Sequence, residues 1–102
     1  MRQISSEPHK IFFETLGNKT RWDIVHLLQK KACRATEIAE ILGYEQSRIS
    51  HNLRRLETCG FVRFQQKGSE RIYELNEETI GPLLKLMDKH VNKYCKHLCK
   101  KK

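Results

Sequence analysis

Between Thr36 and Leu75 the chain changes its hydrophobic period once, and abruptly. In TEIAEILG, Ile38, Ala39 and Leu42 face inward as on a short helix, and Gly43 supplies the left-handed residue that ends one. Another helix begins almost at once. From about Glu45, Ile49, Leu53 and Leu56 form one apolar stripe, while Gln46, Ser47, Arg48, Ser50, His51, Arg54 and Arg55 spread over the remaining surface. After Gly60 the pattern alternates: Phe61 to Gln65 do so in part, and Arg71 to Leu75 more clearly on the far side of Gly68. Two strands of a hairpin follow from that change of period. A pair of short helices joined by a tight turn, the second polar and basic outside, is a helix-turn-helix. The hairpin, with Lys67, Ser69 and Arg71 at or near its tip, has the composition of a DNA-contacting wing.

Helices flank this unit. Pro8 fits a first helical turn, and Ile11, Phe12 and Leu16 follow at helical spacing before Gly17. Asn18 or Thr20 caps a second, largely buried helix through Trp22, Ile24, Val25, Leu27 and Leu28, closed by Lys30 and Lys31. Pro82 opens, or sits just inside, a last helix whose Leu83, Leu84, Met87, Val91, Tyr94 and Leu98 recur every three or four residues. So long a stripe exceeds what a small domain covers by itself, so dimerisation through these residues is expected ahead of a plain intrachain helix. The fold class is mainly α with a two-stranded β-hairpin: a winged helix-turn-helix with N- and C-terminal dimerisation helices. Residues 1–7 are expected to form a flexible N-terminus, 8–99 the domain with its dimer helix, and 100–102 a basic tail.

Charge narrows the partner. A chain of 102 residues suits one core. Its 20 Lys and Arg against 12 Asp and Glu, a net +8, draw it toward a polyanion, nucleic acid or an anionic membrane surface. No run approaches the ~18 apolar residues of a membrane span and no signal-peptide core follows the N-terminus, so a cytoplasmic protein without a membrane partner is expected. On the second helix of the pair, Gln46 is suited to adenine and Arg48 to bidentate contact with guanine, with Ser47 and Ser50 fitting phosphate or base edges. His51 reads equally as a DNA contact or a polar surface residue. Arg54 and Arg55 suit phosphate, surface charge or pairing with Glu57 or Glu45. An extended helix of this kind favours double-stranded DNA over RNA, whose major groove is largely closed.

The stretch ETLGNKTRWDIVHLLQKK, continued by TEIAEILGYEQSRISHNLRRLETCGFVRFQQKGSERIYEL, resembles the ArsR/SmtB family of metal- and stress-responsive repressors. That resemblance implies a homodimer whose two recognition helices enter successive major grooves of an imperfect palindrome, with the hairpins reaching flanking backbone or minor groove. It places Gln46, Ser47, Arg48, Ser50 and His51 at the family's DNA-contacting positions. Arg48 stands where a small residue such as threonine is common.

The family's two familiar sensor motifs are incomplete. Arg34 and Thr36 of ACRATEI stand where a thiolate site has its two cysteines, with Cys33 one residue early. Asp88 and His90 repeat an opening Asp-x-His, but His97 comes too soon and Lys100 follows it. No cofactor is required on this reading. The last helix still carries His90, Cys95, His97 and Cys99, the cysteines on one flank of its stripe and the histidines on the other. Two such helices from a dimer bring together S and N ligands for zinc or a thiophilic metalloid effector, or two thiols for a redox switch. Alternatively the cysteines fill the edge of a helix interface and the histidines are solvated. Cys33 and Cys59 adjoin core segments and read as structural. No phosphate-binding glycine loop or nucleophile-base-acid pattern points to an enzyme. The competing classes are an architectural DNA-binding winged helix that senses nothing, and a protein-interaction module.

Overall fold

The computed structural model describes residues 6–99, with the side chain of Cys99 outside that description. The N-terminal segment expected to be flexible lies outside the described residues up to position 5, as does the 100–102 tail. Helix α1 spans Glu7–Leu16, one residue ahead of Pro8, and buries Thr15 and Leu16. Its Phe12 stacks on Phe61, ring centroids 5.0 Å apart. Helix α2, Lys19–Lys30, is capped by Asn18, whose side-chain oxygen accepts the Arg21 N–H at 3.0 Å and so satisfies one of the free donors of the first turn. Ile24, Val25 and Leu28 are its buried face.

Helices α3 (Ala35–Leu42) and α4 (Gln46–Thr58) form the expected pair. Gly43, at φ 78°, turns the chain while its N–H and that of Tyr44 both donate to Ala39 O. At the other end of α4, Gly60 (φ 79°) lets its own N–H reach Glu57 O and the Phe61 N–H reach Leu56 O. That double closure drives Phe61 into the core and launches the wing. Strand β2 (Val62–Lys67) returns as β3 (Glu70–Leu75) in antiparallel register, Val62 opposite Leu75 and Lys67 opposite Glu70.

Two expectations need correction. The sheet has three strands in place of two: β1, Cys33–Arg34, pairs antiparallel with β3 through Cys33 opposite Tyr73 and Arg34 opposite Ile72. A two-residue strand has no period to read, and its pairing is dictated by Cys33 entering the core. The last helix is not one regular stripe either. Helix α5 runs Ile80–His90 and passes into a π-helical turn, Val91–Cys95, and a 3-10 turn, Lys96–Cys99. One core joins the pieces, with Ile24, Ile38, Ile49, Leu53, Leu56, Phe61 and Leu84 essentially solvent-free. No helix among the described residues is long and apolar enough to cross a membrane.

Candidate nucleic-acid interface

Helix α4 buries Ile49, Asn52, Leu53 and Leu56, which fixes its rotation. At about 100° per residue, Ser47, His51 and Arg54 then point directly away from the core, Gln46 and Ser50 lie on one flank, and Arg48 and Arg55 lie on the other. All of these except Arg55 are exposed. The Arg48 guanidinium sits over the Tyr44 ring, 4.8 Å from its centroid. The Tyr44 hydroxyl in turn donates to Asp23 Oδ2 at 2.8 Å, and Lys19 Nζ reaches the same oxygen at 3.0 Å. The hydroxyl's hydrogen bond, helped by Lys19, holds the Asp23 carboxyl below the usual range, while Asp23 pushes Lys19 up. Arg48 thus starts from a seat built by α2 and the inter-helix turn.

Arg55 does not belong to the outward face. It is half-buried, and its Nε donates to Thr15 Oγ1 of α1 at 3.1 Å. Beside it lies a polar cluster that sequence reasoning missed. Arg21 donates from Nε to Thr15 O at 2.7 Å and from Nη1 to Asn52 Oδ1 at 2.9 Å, and Asn52 Nδ2 donates to Arg48 O at 2.9 Å. Burial and the nearby Arg55 charge pull the Arg21 pKa down. The only sequence signal was a polar Asn52 on the inward side of an otherwise apolar stripe.

The wing divides its basic residues between two faces. Alternation puts Arg71 with Phe64 and Tyr73 on one side of the ribbon, its guanidinium 4.2 Å from the Phe64 ring centroid. Lys67 lies on the other side with Ile72, and Ser69 sits in the exposed turn after Gly68. Among the described residues, ion pairs engage Lys19, Arg34 and Arg63, and none engages Arg48, Arg54, Lys67 or Arg71. Those four cations remain available to a polyanion.

Leu84, expected at a dimer contact, is closed inside the subunit's own core, and Leu83 and Met87 pack against that core. The large apolar residues of the C-terminal segment left exposed are Leu86, Val91, Tyr94 and Leu98; Ile11 and Phe13 of α1 and Ile41 of α3 are exposed as well. Leu86 was missed because its helical phase is off the main stripe. An open apolar groove of about 520 Å³, lined by Phe13, Leu16, Gly17, Lys19, Trp22 and Met87, separates α1 from α5.

Among the described residues, the sensor candidates His90, Cys95 and His97 are not gathered at one point. The His90 ring packs at 4.9 Å on Tyr94, His97 is exposed and Cys95 is half-buried. Among the described residues no three His, Cys, Asp or Glu side chains are placed to hold one metal ion. Cys33 is fully buried with its thiol pushed up by that burial, and Cys59 Sγ lies 3.3 Å from Thr15 Oγ1. The regular helical phase that set cysteines and histidines on opposite flanks does not survive the π-helical turn.

Residues 18–63 match the family model of bacterial regulatory proteins of the arsR family. Over 71 residues the chain is 32% identical to the HTH-type transcriptional regulator NmtR of Mycobacterium tuberculosis, a match that covers 70% of this chain and 59% of that one. It is 29% identical to the arsenical resistance operon repressor of Bacillus subtilis over 73 residues, 71% of this chain and 70% of the other. The fold is similar to the solution structure of a homodimeric winged helix-turn-helix DNA-binding domain from Mycobacterium bovis, with TM-score 0.82 and 21% identity over 98% of this chain and 97% of that one.

Proposed function

We infer that this chain is a member of the ArsR/SmtB family of winged helix-turn-helix regulators and acts as a homodimeric repressor reading a palindromic duplex with α4. The observation that carries this reading is the exposed arc of Gln46, Ser47, Arg48, Ser50, His51 and Arg54 on a helix whose opposite side is locked in the core. Gln46 and Arg48 serve as the base readers, since each offers paired hydrogen bonds worth about 1–3 kcal/mol of discrimination. Arg54 serves phosphate, and Lys67, Ser69 and Arg71 of the wing serve flanking backbone from the two faces of the ribbon. Arg55 is assigned to the α1 contact. Dimerisation uses Leu86, Val91, Tyr94 and Leu98 with Phe13 and the groove beside it, and leaves Leu84 to the core.

An effector is the second part of the proposal. Zinc or a thiophilic metalloid would take ligands from two subunits, Cys95 and Cys99 of one with His90 or His97 of the other, since among the described residues no three such side chains are grouped within one subunit.

The test is a duplex selected from random sequence by the reduced protein, titrated with wild type and with Arg48→Glu/Arg54→Glu. The reversed variant is expected to lose binding while remaining folded and of unchanged oligomeric state. Unchanged affinity would falsify this placement of the DNA face. Repeating the titration with Zn²⁺ or trivalent arsenic, and with Cys95→Ala/Cys99→Ala, reads the effector: release only from the cysteine-intact protein supports it, and indifference removes it.

A further inference from the structure

We propose that Arg21 is a positioning residue for DNA reading: it clamps recognition helix α4 to α1, and so sets the angle between the DNA-reading surface and the exposed apolar face of α1. This rests on the DNA-binding reading above.

The geometry is built from three elements. Thr15, fully buried on the inner side of α1, offers two acceptors, and each takes an arginine from a different helix. Its carbonyl receives Arg21 Nε from α2 at 2.7 Å, and its hydroxyl receives Arg55 Nε from α4 at 3.1 Å while donating to Ile11 O at 2.8 Å. Arg21 Nη1 then crosses to Asn52 Oδ1 of α4 at 2.9 Å. Asn52 is 6% exposed, and its amide is spent on Arg48 O one turn back, so it cannot rotate away without breaking that bond. With Nη2 also donating to Glu14 O at 3.4 Å, the rigid guanidinium fork binds three acceptors on two helices at once, which a flexible point charge does not do.

Apolar packing fixes which face of α4 is buried, but it is non-directional and sets the helix's tilt less sharply than hydrogen bonds do. The two bonds converging on Asn52 and Thr15 fix that tilt at the middle of α4, one turn from Arg48. In a dimer, two recognition helices must meet two half-sites about 34–36 Å apart, so a small tilt of α4 against α1 is doubled across the pair. The clamp therefore matters for fitting a palindrome and little for attraction to phosphate.

The experiment compares wild type, Arg21→Met and Arg21→Lys on the wild-type-selected palindrome and on a duplex of unrelated sequence, each across a salt series, with backbone NMR on the free proteins. Arg21→Met is expected to lose about tenfold to a hundredfold on the palindrome with unchanged affinity for unrelated duplex and unchanged salt slope, Arg21→Lys to recover part of the loss, and the amide shifts that move to cluster in α4 and the end of α1. An equal loss on both duplexes with a slope reduced by about one makes Arg21 a phosphate contact and overturns the clamp. Undiminished palindrome binding by both variants overturns it as well. Should Arg21→Met not fold, Arg21→Lys and Asn52→Leu, which removes the acceptor on α4, carry the same comparison, and wild-type selectivity retained in both rejects the proposal. If wild type itself selects no duplex, the DNA-binding reading fails first and the clamp's role with it.

Discussion

Tyr44 uses the two ends of one side chain for different purposes. Its ring seats Arg48, and its hydroxyl donates to Asp23. Tyr44→Phe separates them, because phenylalanine keeps the ring and loses the donor. The Asp23 carboxyl lies below its ordinary pKa chiefly through that hydroxyl, so its contribution to stability is present above the unfolded value near ~4 and is lost as pH falls through the folded one. In Tyr44→Phe the Asp23 midpoint is expected to rise toward the ordinary value, and the variant to lose stability relative to wild type above about pH 4, the difference shrinking as Asp23 becomes protonated in both. An NMR titration of the carboxyl together with urea melts at pH 7 and pH 3 reads this, and an unmoved midpoint would assign the shift to Lys19 instead. The outward residues of α4 were legible in the sequence because three apolar positions fix a helix's rotation. Arg55 and Asn52 were not, since their partners Thr15 and Arg21 lie 40 and 31 residues away and no local pattern announces them.

Among the elements, the helices that were legible are those with both an apolar period and a terminal signal: Asn18 before α2, Gly43 after α3, Gly60 after α4. Strand β1 had neither, being two residues long, and only the burial of Cys33 against Tyr73 reveals it. The π-helical turn after His90 was equally hidden, because a spacing of three or four residues fits an α-helix as well as a helix that widens for one turn. The value of a terminal signal can be measured at Gly43. A Cβ added there meets nothing within 4 Å, so Gly43→Ala acts through backbone conformation alone, at φ 78°. Left-handed alanine costs about 1–2 kcal/mol. The expected result is a melting temperature lower by about 4–8 °C per kcal/mol, with α3 and α4 still paired and the urea m-value unchanged. A loss well beyond that range would mean the turn had been repacked rather than strained.

For the whole molecule, the apolar residues of the C-terminal segment divide between two tasks that the sequence presented as one stripe. Leu84 is solvent-free inside the subunit, whereas Leu86 is 64% exposed and Val91 47% exposed on its surface. A side chain already buried in one subunit has no area left to give a partner, and one exposed in the subunit has little folding energy to lose. The two classes of substitution should therefore fail in different assays. Leu84→Ala is expected to destabilise the fold by about 2–5 kcal/mol through transfer and cavity terms. Leu86→Asp/Val91→Asp should leave the subunit's unfolding nearly unchanged but place like charges against each other wherever two copies meet on this face, giving a monomer by analytical ultracentrifugation. DNA binding then follows from linkage rather than from any lost DNA contact. A monomer reads one half-site, and separating the halves forfeits the effective concentration that joins them, about 10²–10⁴ in affinity for a palindrome. Affinity for an isolated half-site should stay the same. If the aspartate pair leaves the sedimentation of the protein unaltered, the second copy sits elsewhere, and the groove between Phe13 and Met87 becomes the face to substitute next.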